Sequence, residues 1–218
     1  MKKLIIIFSI IFCLAITAYA TPIEVVCVLD KSGSMEKVQE DIVGSFNTFL
    51  SNQKASSPEA MLTLALFDTN IILERKAIKD FEPLTADQYK PEGRTALYDA
   101  IGITITDLES TVTKETIVIF AIITDGLENE SHVFNSEQIK YRISHYESWH
   151  PWTFLFLAAN QDAFVESQKM GIADGHWLDT DLSTTTDCNA AFDIFDNAST
   201  TLINDGSVNL QGLDKVIK

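Results

Sequence analysis

The chain has 218 residues, with 16 Lys+Arg against 31 Asp+Glu for a formal net charge of −15, and 46% of its residues are hydrophobic. That length holds one domain or at most two. The apolar content excludes a disordered chain, and 9 Gly, 5 Pro and 3 Cys exclude collagen-like and disulfide-dense scaffolds. The acidic balance argues against binding nucleic-acid phosphates or an anionic membrane surface.

Lys2 and Lys3 precede an apolar run from Leu4 to Ala18, and Ala18-Tyr19-Ala20 closes it. A positive start, an apolar stretch and a small-x-small end are the pattern of a secretory leader. The run is shorter than the ~18 residues of a membrane span. Residues 1–20 are therefore expected to be a cleaved signal peptide rather than a retained anchor, and 21–218 a single secreted or periplasmic domain with no stable membrane insertion. Cys13 leaves with the leader, and Cys27 and Cys188 remain. They can pair as a disulfide or stay as buried thiols.

Ile23 to Leu29 (IEVVCVL) is a β-branched apolar run that reads as a strand buried on both faces. After a polar loop, Met35, Val38, Ile42, Phe46 and Phe49 recur at helical spacing. Met61 to Phe67 is a second strand, Asp68-Thr69-Asn70 a turn, and Ile71 to Leu73 the start of an antiparallel return. Thr85 with Gln88 fits the capping box of a short helix. Leu97, Ile101, Ile105 and Leu108 mark another helix, and Thr116 to Ile123 is the strongest central strand. Asn135 and Gln138 can cap a helix carrying Ile139, Ile143 and Tyr146, and Trp152 to Ala159 is the next strand. Phe164 to Met170 reads as a helix stopped by Gly171, His176 to Leu178 as a short last strand, and Ala191 to Leu202 as a final helix started by Asp187. Alternating strands and helices predict an α/β fold: a doubly wound, mostly parallel sheet with helices on both faces and one short antiparallel edge strand. Ligands of such folds bind at the carboxyl ends of strands.

Directly after the first strand stands Asp30-Lys31-Ser32-Gly33-Ser34-Met35. Alternate residues of an extended loop point the same way, so one carboxylate and two hydroxyls can converge. Thr95 follows Pro91-Glu92-Gly93-Arg94 at the entry to a helix, and Thr124-Asp125-Gly126 follows the central strand. Three loops thus offer hard oxygen ligands at one edge of the sheet. Such oxygens suit Mg²⁺, with Mn²⁺ the alternative. Each piece also has a local reading. Asp30 and the serines, or Thr95, can cap helices, and Asp125-Gly126 can be only a turn.

Taken jointly, Asp30, Ser32, Ser34, Thr95 and Asp125 resemble the metal-ion-dependent adhesion site of the von Willebrand factor type A domain family, in order and in loop placement. The resemblance implies a Rossmann-like fold in which Ser32, Ser34 and Thr95 bind a divalent cation through their hydroxyls. Asp30 and Asp125 would act mainly through ordered water and orient the serines. It further implies a protein partner that contributes a carboxylate to the metal, a non-enzymatic role, and no nucleic-acid ligand. Two other functions are weighed beside it. One is a metal-assisted hydrolase on the same loops, against which stands the lack of a GxSxG or GxxxxGK[ST] motif. The other is an accessory subunit of an envelope assembly. Glu128, Asn129 and Glu130 are expected to form a solvated acidic loop rather than a rim of the site. Asp99 is expected either to brace the Thr95 loop or to be an exposed helix residue.

Overall fold

The computed structural model describes residues 21–158, 161–173, 175–180 and 182–205. The expected leader, 1–20, and Ala159 lie outside the described residues. The chain runs β1 (Ile23–Asp30), a 3-10 turn (Gly33–Val38), α1 (Gln39–Ser56), β2 (Met61–Phe67), β3 (Ile71–Ala77), α2 (Leu97–Glu109), β4 (Ile117–Thr124), α3 (Ser136–Trp149), β5 (Trp152–Ala158), α4 (Gln161–Met170), β6 (Trp177–Asp179) and α5 (Thr185–Asp205). The strands form one sheet in the order β3-β2-β1-β4-β5-β6. Only β2 and β3 are antiparallel, joined by the turn at Asp68-Thr69-Asn70. This is the expected α/β architecture, a mostly parallel sheet with helices on both faces.

The continuous apolar runs follow from burial on two sides. Val25, Cys27 and Leu29 of β1 pack into one core with α1 and α5, while Val26 and Val28 pack into the other with α2 and α3. The α1–α5 layer is closed by rings, with Phe49 stacked on Phe195 at 4.4 Å between centroids. A polar seam runs beside them, in which Ser45 Oγ donates to Asn189 Oδ1 at 2.7 Å and Gln53 Nε2 to Asp196 Oδ1 at 2.8 Å. Among the described residues, no helix is long and apolar enough to cross a membrane.

Two expected elements differ. Thr85 and Gln88 make both capping-box bonds, Thr85 N–H to Gln88 Oε1 at 3.0 Å and Gln88 N–H to Thr85 Oγ1 at 3.3 Å. They close only a single turn, because the following Pro91 disfavours helical backbone at Lys90, leaving too few residues to propagate a helix. The last helix begins at Thr185, with Thr184 as its cap. Asp187 N–H donates to Thr184 Oγ1 at 3.3 Å, so Asp187 is the cap's partner rather than the cap. Asn135 and Gln138 form the reciprocal box expected at the start of α3.

Cys27 and Cys188 are both free and buried, so the alternative of a disulfide between them is not realised. Burial pushes the Cys27 thiol far up from its usual range, which removes the reactive thiolate. A thiol reagent is accordingly expected to leave Cys27 unmodified until denaturant is added, and reductant to leave the melting temperature unchanged. Labelling of Cys27 in the native protein, read by mass spectrometry, would contradict this burial.

Candidate metal centre

The order of the sheet decides where a site can form. From β1 the chain steps outward to β2 and β3, then returns through α2 to β4 on the other side of β1. The strand order therefore reverses between β1 and β4, and the loops leaving their carboxyl ends diverge around a crevice. Asp30 ends β1 and Thr124 ends β4. Thr95 stands two residues before α2, the helix that spans the reversal.

The five expected residues meet there. Asp30 is fully buried. Its Oδ1 accepts from Ser32 N–H at 2.6 Å and its Oδ2 from the Thr124 hydroxyl. The Ser32 and Ser34 hydroxyls are 3.1 Å apart, and Ser34 Oγ donates to Asp125 Oδ1 at 2.7 Å. Thr95 enters through Gly126. A Cβ on that glycine would lie 3.1 Å from Thr95 Oγ1 and 3.8 Å from Asp30 Oδ2. The missing side chain thus keeps open a cradle onto which both oxygens face. Three hydroxyls and two carboxylates form a hard-oxygen set that fits Mg²⁺ or Mn²⁺. Among the described residues, no group of three or more His, Cys, Asp or Glu side chains is placed to hold a metal.

The charge balance supports the same fit. Lys31 lies inside the motif, but its ammonium turns inward to pair with Asp68, both side chains being buried (6% and 2% exposed). Asp30 is left without a cation, and burial raises its carboxyl to about 6. The hydrogen bonds from Thr124 and Ser32 oppose that rise, and the Asp125 charge adds to it. Burial also raises Asp125, against the Ser34 hydrogen bond.

The Asp30 value in the folded state lies above the unfolded 3.8. The group therefore favours folding of the metal-free protein below about pH 4, when it is protonated. That contribution, on the order of 3 kcal/mol, is lost as pH rises through about 6. Chelated wild type is expected to lose stability relative to Asp30→Asn between pH 4 and pH 7 in denaturant melts. A difference that ignores pH would mean the ionised carboxylate is already compensated.

The loop expected to be solvated at Glu128, Asn129 and Glu130 leaves Asn129 exposed but is also hydrogen-bonded into the structure. Glu128 accepts from Tyr98 N–H at 2.9 Å, Glu130 N–H at 2.8 Å, Ser131 N–H at 2.7 Å and Ser131 Oγ at 2.6 Å. Asn129 and Thr95 exchange two bonds: Thr95 N–H donates to Asn129 Oδ1 and Asn129 N–H to Thr95 O, both at 3.0 Å. Asp99 is buried and takes the brace reading, accepting from the N–H groups of His132, Val133 and Phe134 at 2.8, 2.9 and 2.7 Å. The loop that carries Asp125 is thereby bolted to the first turn of α2 and to Thr95 just before it. The carboxylates also sit at a helix N-terminus, where negative charge is favoured. Glu128→Ala strands three backbone donors and is expected to cost about 2 kcal/mol, read by urea unfolding. An unchanged midpoint would mean that water replaces the carboxylate.

Sequence reading missed Asp68, which it left as a turn residue. Besides pairing with Lys31, Asp68 accepts from Asn70 N–H at 2.5 Å, and its carbonyl accepts from Ala96 N–H at 3.0 Å. Gly93, at φ +70, packs against Asp68 and Thr69, so that loop presses on the same turn. A charged Lys between two ligand-type residues was the only hint that a buried counter-charge had to exist.

A six-stranded, mostly parallel sheet reversing between β1 and β4, with helices on both faces, is the Rossmann-like fold of von Willebrand factor type A domains. Among solved structures of similar fold is a von Willebrand factor type A protein from Catenulispora acidiphila, at TM-score 0.56 and 13% identity over 83% of this chain and 43% of that one. Another is the pilus adhesin SpaC from Lactobacillus rhamnosus GG, at TM-score 0.63 and 12% identity over 84% of this chain and 30% of that one. A third is manganese-loaded TRAP protein from Plasmodium vivax, at TM-score 0.56 and 14% identity over 81% of this chain and 74% of that one. The chain spans less than half the length of the first two. At these identities the likeness is one of fold. No family model and no curated protein matches the sequence.

Proposed function

We propose that the chain is an exported, metal-dependent protein-binding module that captures an acidic group of a partner protein. The observation that carries this reading is the convergence of Asp30, Ser32, Ser34, Thr95 and Asp125 on the cradle at Gly126. Ser32, Ser34 and Thr95 would hold Mg²⁺ or Mn²⁺ through neutral hydroxyls. Asp30 fixes the Ser32 backbone and Asp125 fixes the Ser34 hydroxyl. The cation supplies a concentrated positive charge, on an otherwise acidic protein, to which a partner's carboxylate binds. A similarly folded pilus adhesin supports adhesion or interaction as the role, and a similarly folded manganese-loaded protein supports a divalent ion. The leader-like residues 1–20 support export, to the periplasm or outside the cell.

Partner capture in pull-downs from surface extracts is expected to be lost with EDTA and in Asp30→Ala, and restored to wild type by Mg²⁺ or Mn²⁺. Capture that survives both treatments would sink the metal mechanism. The reading is of binding rather than turnover. Ester or phosphate hydrolysis that disappears in Asp125→Ala would replace it with the hydrolase. A complex that persists through chelation would replace reversible capture with a fixed assembly role.

A further inference from the structure

Arg94 immediately precedes Thr95 and stands 65% exposed on the rim of the cradle. Its backbone is fixed independently of its side chain, since Arg94 N–H donates to Thr69 Oγ1 at 3.2 Å. Its Nε lies 3.1 Å from Glu130 Oε2. Among the described residues the guanidinium has no other hydrogen bond or ion pair, so its two terminal nitrogens face solvent unengaged. Glu130 is itself anchored, because its N–H donates to Glu128 within the brace. An Arg steered through Nε with its fork free is arranged to meet a second oxyanion in bidentate fashion.

The surroundings narrow the chemistry. The neighbouring loops carry Glu36, Lys37 and Glu92, while Lys31 is consumed by Asp68. Of the cationic side chains in these loops, Lys31 is engaged by Asp68, while Arg94 and Lys37 are exposed among Glu36 and Glu92. Leu127, two residues after Asp125, is 42% exposed and adds an apolar shelf.

We propose that Arg94 is the second anion contact of this face, and that the partner it selects presents two carboxylates, one to the cation and one to the guanidinium. This rests on the metal-dependent capture proposed above. In an extended segment, acidic residues at i and i+2 share a face at a separation of about 7 Å, so a Glu-x-Glu stretch is the simplest ligand. Glu130 is then a positioning residue, holding the guanidinium on the rim through its Nε.

The test uses the whole protein in Mn²⁺ and three labelled peptides with amidated C-termini, Ser-Glu-Gly-Glu-Ser, Ser-Glu-Gly-Gln-Ser and Ser-Glu-Gly-Lys-Ser, followed by fluorescence anisotropy. The two-carboxylate peptide is expected to bind about tenfold more tightly. Arg94→Gln is expected to erase that ratio while leaving the single-carboxylate peptide and Mn²⁺ affinity unchanged. Glu130→Gln is expected to shrink the ratio. A ratio that survives in Arg94→Gln overturns the assignment of Arg94. Tighter binding of a Ser-Glu-Gly-Lys-Ser peptide overturns the two-carboxylate partner. Binding of neither acidic peptide, with Mn²⁺ affinity intact, overturns the partner chemistry and leaves the metal centre standing. Absence of Mn²⁺ binding, by contrast, removes the underlying reading as well.

Discussion

Lys31→Met is expected to destabilise the protein by about 3–5 kcal/mol, because it leaves Asp68 as an uncompensated charge in a buried position. For a domain of this size that corresponds to a fall in melting temperature of roughly 6–20 °C. The neighbouring groups cannot take over the charge. Asp68 Oδ1 already accepts from Asn70 N–H, and the Asp68 carbonyl is held by Ala96 N–H. Adding Asp68→Asn to Lys31→Met removes the charge, keeps an acceptor for Asn70, and is expected to recover most of the loss. Guanidinium unfolding of the three variants provides the measurement. A Lys31→Met protein as stable as wild type would mean that the Asp68 carboxylate is solvated, contrary to its burial. The pair also bears on function, since it draws the Lys31 ammonium inward, away from the face where a cation is proposed to bind.

The second large effect is stabilisation by that cation. Mg²⁺ or Mn²⁺ at a hundredfold excess over its Kd is expected to add ~2.7 kcal/mol, or roughly 5–11 °C in melting temperature. A bound cation would relieve the unfavourable burial of ionised Asp30. Protons compete for the same carboxylate, so the gain is expected to shrink as pH falls below about 6. The Ser32→Ala/Ser34→Ala double variant removes two of the hydroxyl donors while keeping the Asp30 carboxylate and its bonds from Ser32 N–H and Thr124, and is expected to show no shift. An equal shift in both proteins would assign the effect to screening of the net charge of −15. Differential scanning fluorimetry with calorimetric titration separates the two outcomes.

The central strands β1, β2, β4 and β5 were legible because each is buried on both faces. A buried parallel strand has no polar side to interrupt its apolar run, as the boundaries of Met61–Phe67 illustrate. The helices were legible through their apolar stripes. Their ends were less so: Thr184 and Thr85 are both good caps, yet only Thr184 is followed by enough residues to extend a helix. The five oxygen-bearing residues were legible because each stands at a strand end or helix start, where topology leaves little choice of direction.

What the sequence by itself determined was the alternation of strands and helices, the order of the three loops, and the residue types offered to a cation. Those depend on local periodicity and on position relative to strand ends. Only the tertiary structure decided that Lys31 serves Asp68 rather than the open face, that Cys27 and Cys188 remain separate thiols, that Glu128 and Asn129 brace the loop they stand in, and that Asp99 is a brace rather than an exposed helix residue. Lys31 and Asp68 are 37 residues apart, and the brace joins Tyr98, Thr95 and Asp99 to residues 30 to 35 positions further on. For the brace, most of the partners are backbone N–H groups, which every residue but proline carries. No side-chain pattern encodes such a bond, so it becomes visible only when the sheet brings β1, β4 and α2 to one crevice.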